Sequence, residues 1–246
     1  MKKQTINQRI HALIPLFAIA MLAVPVCRAS VVFSDDFSET PGTLIVGKSP
    51  DVGSAWTGNG GATPGPLAVS ANNTLNTAGD ARAVFGAFTT TLGPGEMITL
   101  SYDTINFGNN FDGYGGVSLY SGGSGGTEQV FTGDLGNYNS WGVDGAAIGN
   151  IPANPQNMVG ATSATFTYVY DTGAWSLTTL NGVNLSGIGT ASVALDTLRI
   201  ANGNNGDINL DNLVVDISPV PEPSSMALAA MGVGLLFILR RRPVRT

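Results

Sequence analysis

Histidine and cysteine are nearly missing from this chain of 246 residues: His11 and Cys27 are the only ones, and both lie in the first 29. A body starting near residue 30 therefore has no disulfide, no thiol nucleophile and no imidazole base. Zinc sites built on His or Cys are excluded, as is Ser–His chemistry. Basic residues are scarce as well. Of 11 Lys and Arg, only Lys48, Arg82 and Arg199 fall between residues 30 and 220, where 16 of the 17 acids lie. The body thus carries a net charge of −13, against −6 for the whole chain. Such a field repels nucleic acid and anionic head groups. Glutamate is rare too, with Glu39, Glu96 and Glu128 widely separated. Glycoside hydrolysis needs an acid and a nucleophile or base at fixed separation, and no Glu-x-Asp-x-x-Glu run supplies them. The expectation is a non-catalytic body, with a glycan-active enzyme as the least favoured reading.

What remains is rich in Gly, Asn, Ser and Thr, with short alternating apolar runs between turn signals. The runs predict strands at Val31–Phe37, Arg82–Phe88, Met97–Ile105, Gly115–Tyr120, Glu128–Thr132, Ala164–Tyr170, Trp175–Leu180, Val193–Ile200 and Ile208–Ile217. Asp171-Thr172-Gly173 predicts a hairpin, and Asn181-Gly182 a type I′ turn. No helical periodicity of useful length occurs in the body, so a sandwich or barrel is expected.

Both ends have a different texture. Lys2, Lys3 and Arg9 precede an apolar run, Ala12–Val26, and Ala29 offers a cleavage point, the layout of a signal peptide over residues 1–29. This implies handling by the Sec translocon and signal peptidase. At the other end, Val220-Pro221-Glu222-Pro223 is a stiff, extended, non-helical step. Ser224 and Ser225 can cap a single transmembrane helix over Met226–Leu239, followed by Arg240, Arg241 and Arg242. Counted from Ser224 to Leu239, the 16 residues would span roughly 24 Å as a helix, short of a hydrocarbon core of about 30 Å. The expected organisation is signal peptide 1–29, β-sandwich 30–217 and sorting tail 218–246.

The order Pro-Glu-Pro, apolar stretch, Arg cluster resembles the tail of PEP-CTERM proteins, exported proteins of Gram-negative bacteria processed by the membrane enzyme exosortase. The resemblance implies export, an inner-membrane intermediate and delivery to the cell envelope, the surface or the medium, alongside exopolysaccharide or biofilm. A second resemblance covers the body. Asp35-Asp36-Phe37 with Gly53, Trp56 and Gly60, the run Gly116–Tyr120, the run Thr165–Asp171 with Trp175, and Asp207–Val215 are similar to laminin-G-like, concanavalin-A-type jelly-roll domains. That family implies two packed antiparallel sheets, serving as glycan-binding or structural modules.

Two kinds of site are candidates. Glycan binding needs aromatic faces beside hydrogen-bonding side chains, and Trp56, Tyr114, Tyr138 and Trp141 stand in Gly- or Asn-rich contexts. Burial is the competing reading for each, and the expected reading for Trp175. Calcium takes oxygen ligands, and Asp207, Asn209 and Asp211 place three at alternate positions. Against that stands a simple closing strand with Ile208, Leu210, Leu213 and Val215 in the core. No other cofactor is indicated. The expected function is an exported, non-catalytic envelope or matrix protein, with a carbohydrate-binding adhesin as the alternative.

Overall fold

The computed structural model describes residues 29–58, 68–70, 75–76, 82–107, 113–136, 138, 140–153, 162–203 and 208–220. The expected signal peptide, Pro221-Glu222-Pro223, the helix Met226–Leu239, Arg240–Arg242 and Asp207 lie outside them. Among the described residues no helix is long and apolar enough to cross a membrane.

The strands form two antiparallel sheets. The first runs β1 (Ser30–Asp35), β14 (Ile208–Pro219), β5 (Glu96–Phe107), β10 (Thr162–Val169), β11 (Ala174–Thr179) and β12 (Asn184–Ile188), with the short β3 (Leu75–Asn76) also on β14. The second runs β2 (Thr57–Gly58), β4 (Arg82–Ala87), β13 (Thr197–Gly203), β6 (Tyr114–Ser121), β7 (Thr127–Leu135), β8 (Ser140–Asp144) and β9 (Ile151–Pro152). Strand pairing is mostly between elements distant in sequence, as a jelly roll requires. The fold is the all-β sandwich that the sequence predicts.

Period-2 alternation puts one face of each strand between the sheets. In β10, Thr162, Ala164, Phe166 and Tyr168 are buried while Ser163, Thr165, Thr167 and Val169 are half-exposed. Ile98, Leu100 and Tyr102 of β5 and Leu213, Val215 and Ile217 of β14 join that inner face. Val117, Leu119, Val130, Val143, Leu198 and Ile200 oppose them from the second sheet. Trp175 and Leu210 are core residues, as expected.

Three expectations change in detail. Strands β8 and β12 carry no strong apolar run and are not among the predicted ones. The β11–β12 turn is not type I′: only Gly182 has positive φ (102°), and its amide donates to Thr179 O at 3.1 Å. Thr179 N in turn donates to Val183 O at 3.0 Å, so three residues make a type I turn closed by a left-handed glycine. Finally, β14 continues to Pro219, two residues past the expected edge of the body.

Candidate functional site

On the outer face of the second sheet, side chains pack closely over glycines. A Cβ at Gly203 would come within 2.3 Å of the Tyr114 ring, one at Gly116 within 2.7 Å of the Phe131 ring, and one at Gly142 within 2.4 Å of Leu135. Tyr114 and Phe131 meet edge to face at 6.2 Å, and Phe85 and Tyr120 do so at 5.4 Å.

A register shift supplies the polar part. Leu119 pairs with Val130 but Tyr120 pairs with Glu128, leaving Gln129 as the extra residue of a bulge. The bulge turns Glu128 onto the outer face. Its Oε2 accepts from Ser118 Oγ at 2.7 Å, Tyr120 Oη at 3.3 Å and Arg199 Nη1 at 3.1 Å. Arg199 Nη1 also donates to Tyr120 Oη at 3.1 Å, and its guanidinium stands 6.0 Å from the Phe85 ring centre. Burial and the Glu128 charge push the Tyr120 hydroxyl pKa up, against the pull of Arg199.

Beside this network lies a groove of about 380 Å³. Tyr114, Phe131 and Leu135 form its apolar side, and Glu128, Arg199, Asp144 and Asn150 its polar side. Asn150 Nδ2 donates to Asp144 Oδ2 at 3.3 Å, which fixes an amide and a carboxylate together at the rim. An aromatic ring beside orienting donors and acceptors is the chemistry that grips a polyhydroxylated ring.

The predicted aromatic contacts divide. Tyr114 lines the groove, and Tyr138 is half-buried in the β7–β8 turn with its amide on Leu135 O at 3.2 Å. Trp56 and Trp141 are corrected: they are 1% and 0% exposed and offer no ring face to a ligand. Trp141 shares the inward side of β8 with Val143 and stacks on Tyr102 at 6.2 Å. Trp56 seals a charged knot. Its Nε1 donates to Asp35 Oδ2 at 2.6 Å, and Lys48 Nζ bridges Asp35 at 2.5 Å and Glu39 at 2.6 Å. Phe37 is held at φ 48°, unusual for a bulky residue, with its amide on Asp35 Oδ1 at 3.0 Å and its ring 6.2 Å from Trp56. Burial pushes the Asp35 pKa up, while Lys48, Trp56 and the Phe37 amide pull against it. Burial also opposes the Lys48 charge, yet Asp35 and Glu39 together keep its pKa raised. The Asp-Asp-Phe stretch is thus an internal brace.

Of the residues considered for calcium, Asn209 and Asp211 sit in β14 rather than in a loop, and Asp211 stands opposite Asp103 of β5. Asn212, at φ 49° in a bulge, donates to Asp103 Oδ2 at 2.9 Å. Carboxylate oxygens of Asp35, Asp36 and Asp51 lie within 4.8 Å of one another. Asp35 there is committed to Lys48 and Trp56, and Asp51 accepts the Asp36 amide at 3.2 Å.

The sequence pattern did not mark Phe131, Glu128, Arg199, Asp144 or Asn150 as binding residues. The available signal was Arg199, one of only three basic residues in the body, set between Leu198 and Ile200.

These two antiparallel sheets make a sandwich of the jelly-roll kind, the fold class that the sequence predicts. A sialidase structure superposes with a TM-score of 0.54 at 11% identity, covering 78% of this chain and 19% of that one. A Lotus tetragonolobus seed lectin gives 0.47 at 13% identity, covering 78% of this chain and all of the lectin. At such identities the likeness concerns the fold alone. No curated protein matches the chain by sequence. Residues 219–242 match the PEP-CTERM protein-sorting motif. The chain thus carries a sorting motif of the PEP-CTERM type, which implies export, behind an all-β sandwich body.

Proposed function

We propose that this protein is a non-catalytic component of the cell envelope or extracellular matrix whose body binds exopolysaccharide along the outer face of the second sheet. The observation that carries the reading is the groove that joins the Tyr114 and Phe131 rings to Asp144, Asn150, Glu128 and Arg199. The half-exposed Tyr114 ring, backed by Phe131 and Leu135, gives an apolar wall, and fixed polar groups at its rim give orientation. The Glu128 carboxylate spends Oε2 on three donors, which suits a positioning role rather than acid or nucleophile work. The −13 charge of the body favours neutral or cationic polysaccharides over acidic ones.

The test is binding of the exported mature protein to matrix polysaccharides. Tyr114→Ala should weaken binding on the order of tenfold, about 1.4 kcal/mol. Unchanged binding in that variant, or no binding by the parent, would defeat the proposal. Reducing sugar released from any of these glycans would defeat its non-catalytic part. Trp56→Ala and Trp141→Ala are unsuitable probes, because both rings are core. In the same reading, deletion of Pro221–Pro223 should leave the body held at the membrane, and normal release of that variant would sink the exosortase step.

A further inference from the structure

The last strand among the described residues reaches to within two residues of the sorting tripeptide. Strand β14 pairs with β5 as far as Pro219 opposite Glu96. Beyond it Val220 N donates to Gly95 O at 2.9 Å. The turn that receives this bond is itself fixed: Gly95 N donates to Asp171 Oδ2 at 2.7 Å and Gly93 N to Glu96 Oε2 at 2.8 Å. Tyr170 N closes the same corner on Glu96 O at 3.0 Å. The next residue, Pro221, has no backbone N–H and cannot continue a ladder.

β14 is also an interior strand, flanked by β1 and β5. Its inward side chains Leu213, Val215 and Ile217 are 0%, 0% and 4% exposed. A peptidase reads its substrate as an extended segment with free amide and carbonyl groups. Up to Ile217 the strand is paired on both sides, and from Ser218 to Val220 it is still held along β5 and its turn, so drawing this segment out would pull on an interior strand of the core.

We infer that the processing cut falls C-terminal to Val220, so that the sandwich itself sets the upstream limit of cleavage. The inference rests on the exosortase reading of the tail. In the step, one amide C–N bond beyond Val220 breaks. The acyl carbon bonds to the oxygen of water, or to a hydroxyl or amino acceptor, and the departing tail keeps the amine with the proton that the attacking group gives up. The body leaves with its last strand intact and still joined to the corner formed by Gly93–Glu96 and Asp171.

The experiment is the intact mass and C-terminal peptide of the protein released by an exosortase-bearing host, with any acceptor visible as added mass. The expected C-terminal peptide contains Val220. One ending at Pro219 or earlier overturns the inference while leaving the exosortase reading in place. A chain recovered only with Thr246 intact overturns that reading instead. Proteinase K digestion of the full chain in detergent then decides the structural limit alone. A resistant fragment that includes Val220 supports it, and one that stops at Pro219 or earlier overturns it.

Discussion

Lys48 and Asp35 show what single side chains contribute here. Their side chains are 6% and 0% exposed, so the pair sits where neither charge is solvated alone. Removing one partner of such a pair leaves a buried charge uncompensated, typically at about 3–5 kcal/mol. Lys48→Met should lower unfolding free energy by that amount in urea titration, and the double variant with Asp35→Asn should recover part of it. A double variant no better than Lys48→Met alone would show that the hydrogen bonds to Trp56 and Phe37, rather than the charge, hold the knot. Asp134 poses the opposite problem. It is 1% exposed, and burial pushes its pKa up from 3.8 to about 7, against a hydrogen bond from the Ser140 amide. Between these values the folded state holds the proton and the unfolded state has released it, so stability falls as pH rises from about 4 to 7. Asp134→Asn should remove that slope, raising stability at pH 8 by up to about 4 kcal/mol and changing little near pH 3. Thermal melts across pH check it; an unchanged slope would mean that the Asp134 carboxyl is solvated. Neither role was legible in the sequence. Asp35-Asp36-Phe37 marked a fold resemblance, but only the packing assigns Lys48 to it, and Asp134 reads as one acid among many.

At the level of elements, alternation carried most of the information. The runs that became β1, β4, β5, β6, β7, β10, β11 and β14 alternate strongly enough to be placed within a few residues. β8 and β12 are short and Gly-containing, and their strand state comes from the neighbours that pair with them. The same cause misdirected the aromatic prediction. Trp141 lies among Gly, Asn and Ser, which suggests an exposed loop, yet β8 turns it inward against Tyr102. The groove escaped notice because its residues come from β6, β7, β8 and β13 and the loop before β9, and the bulge at Gln129 decides which way Glu128 points. A steric test follows from that construction. Gly203 leaves room for the Tyr114 ring, and Gly203→Ala would bring a methyl carbon within 2.7 Å of its hydroxyl. The ring must lift from the sheet. Polysaccharide binding should fall on the order of tenfold while the melting midpoint moves by only a few degrees. Binding equal to that of the parent would remove the Tyr114 ring from the recognition surface.

For the whole molecule, the order of the strands ties folding to export. Ser30 at the start of β1 stands opposite Ile217 near the end of β14, so the two ends of the body leave it side by side. The segments beyond them are the two that the sequence assigns to the membrane. β14 also lies between β1 and β5, although it is the last strand made. The first sheet therefore stays split until the residues just before the sorting motif have arrived, and pairing so distant in sequence is slow to form. Before then, the inner faces of β1 and β5, with Val32, Phe33, Ile98, Leu100 and Tyr102, have no interior strand to join them. A chain ending at residue 207 should show no cooperative thermal transition and no dispersed amide spectrum. A chain ending at Val220, lacking the motif, should melt cooperatively. If the shorter chain also melted as one unit, β14 would be an accessory strand, and cleavage within it would no longer be costly. The contrast between the two end points thus tests the fold and the reason for cutting beyond it together.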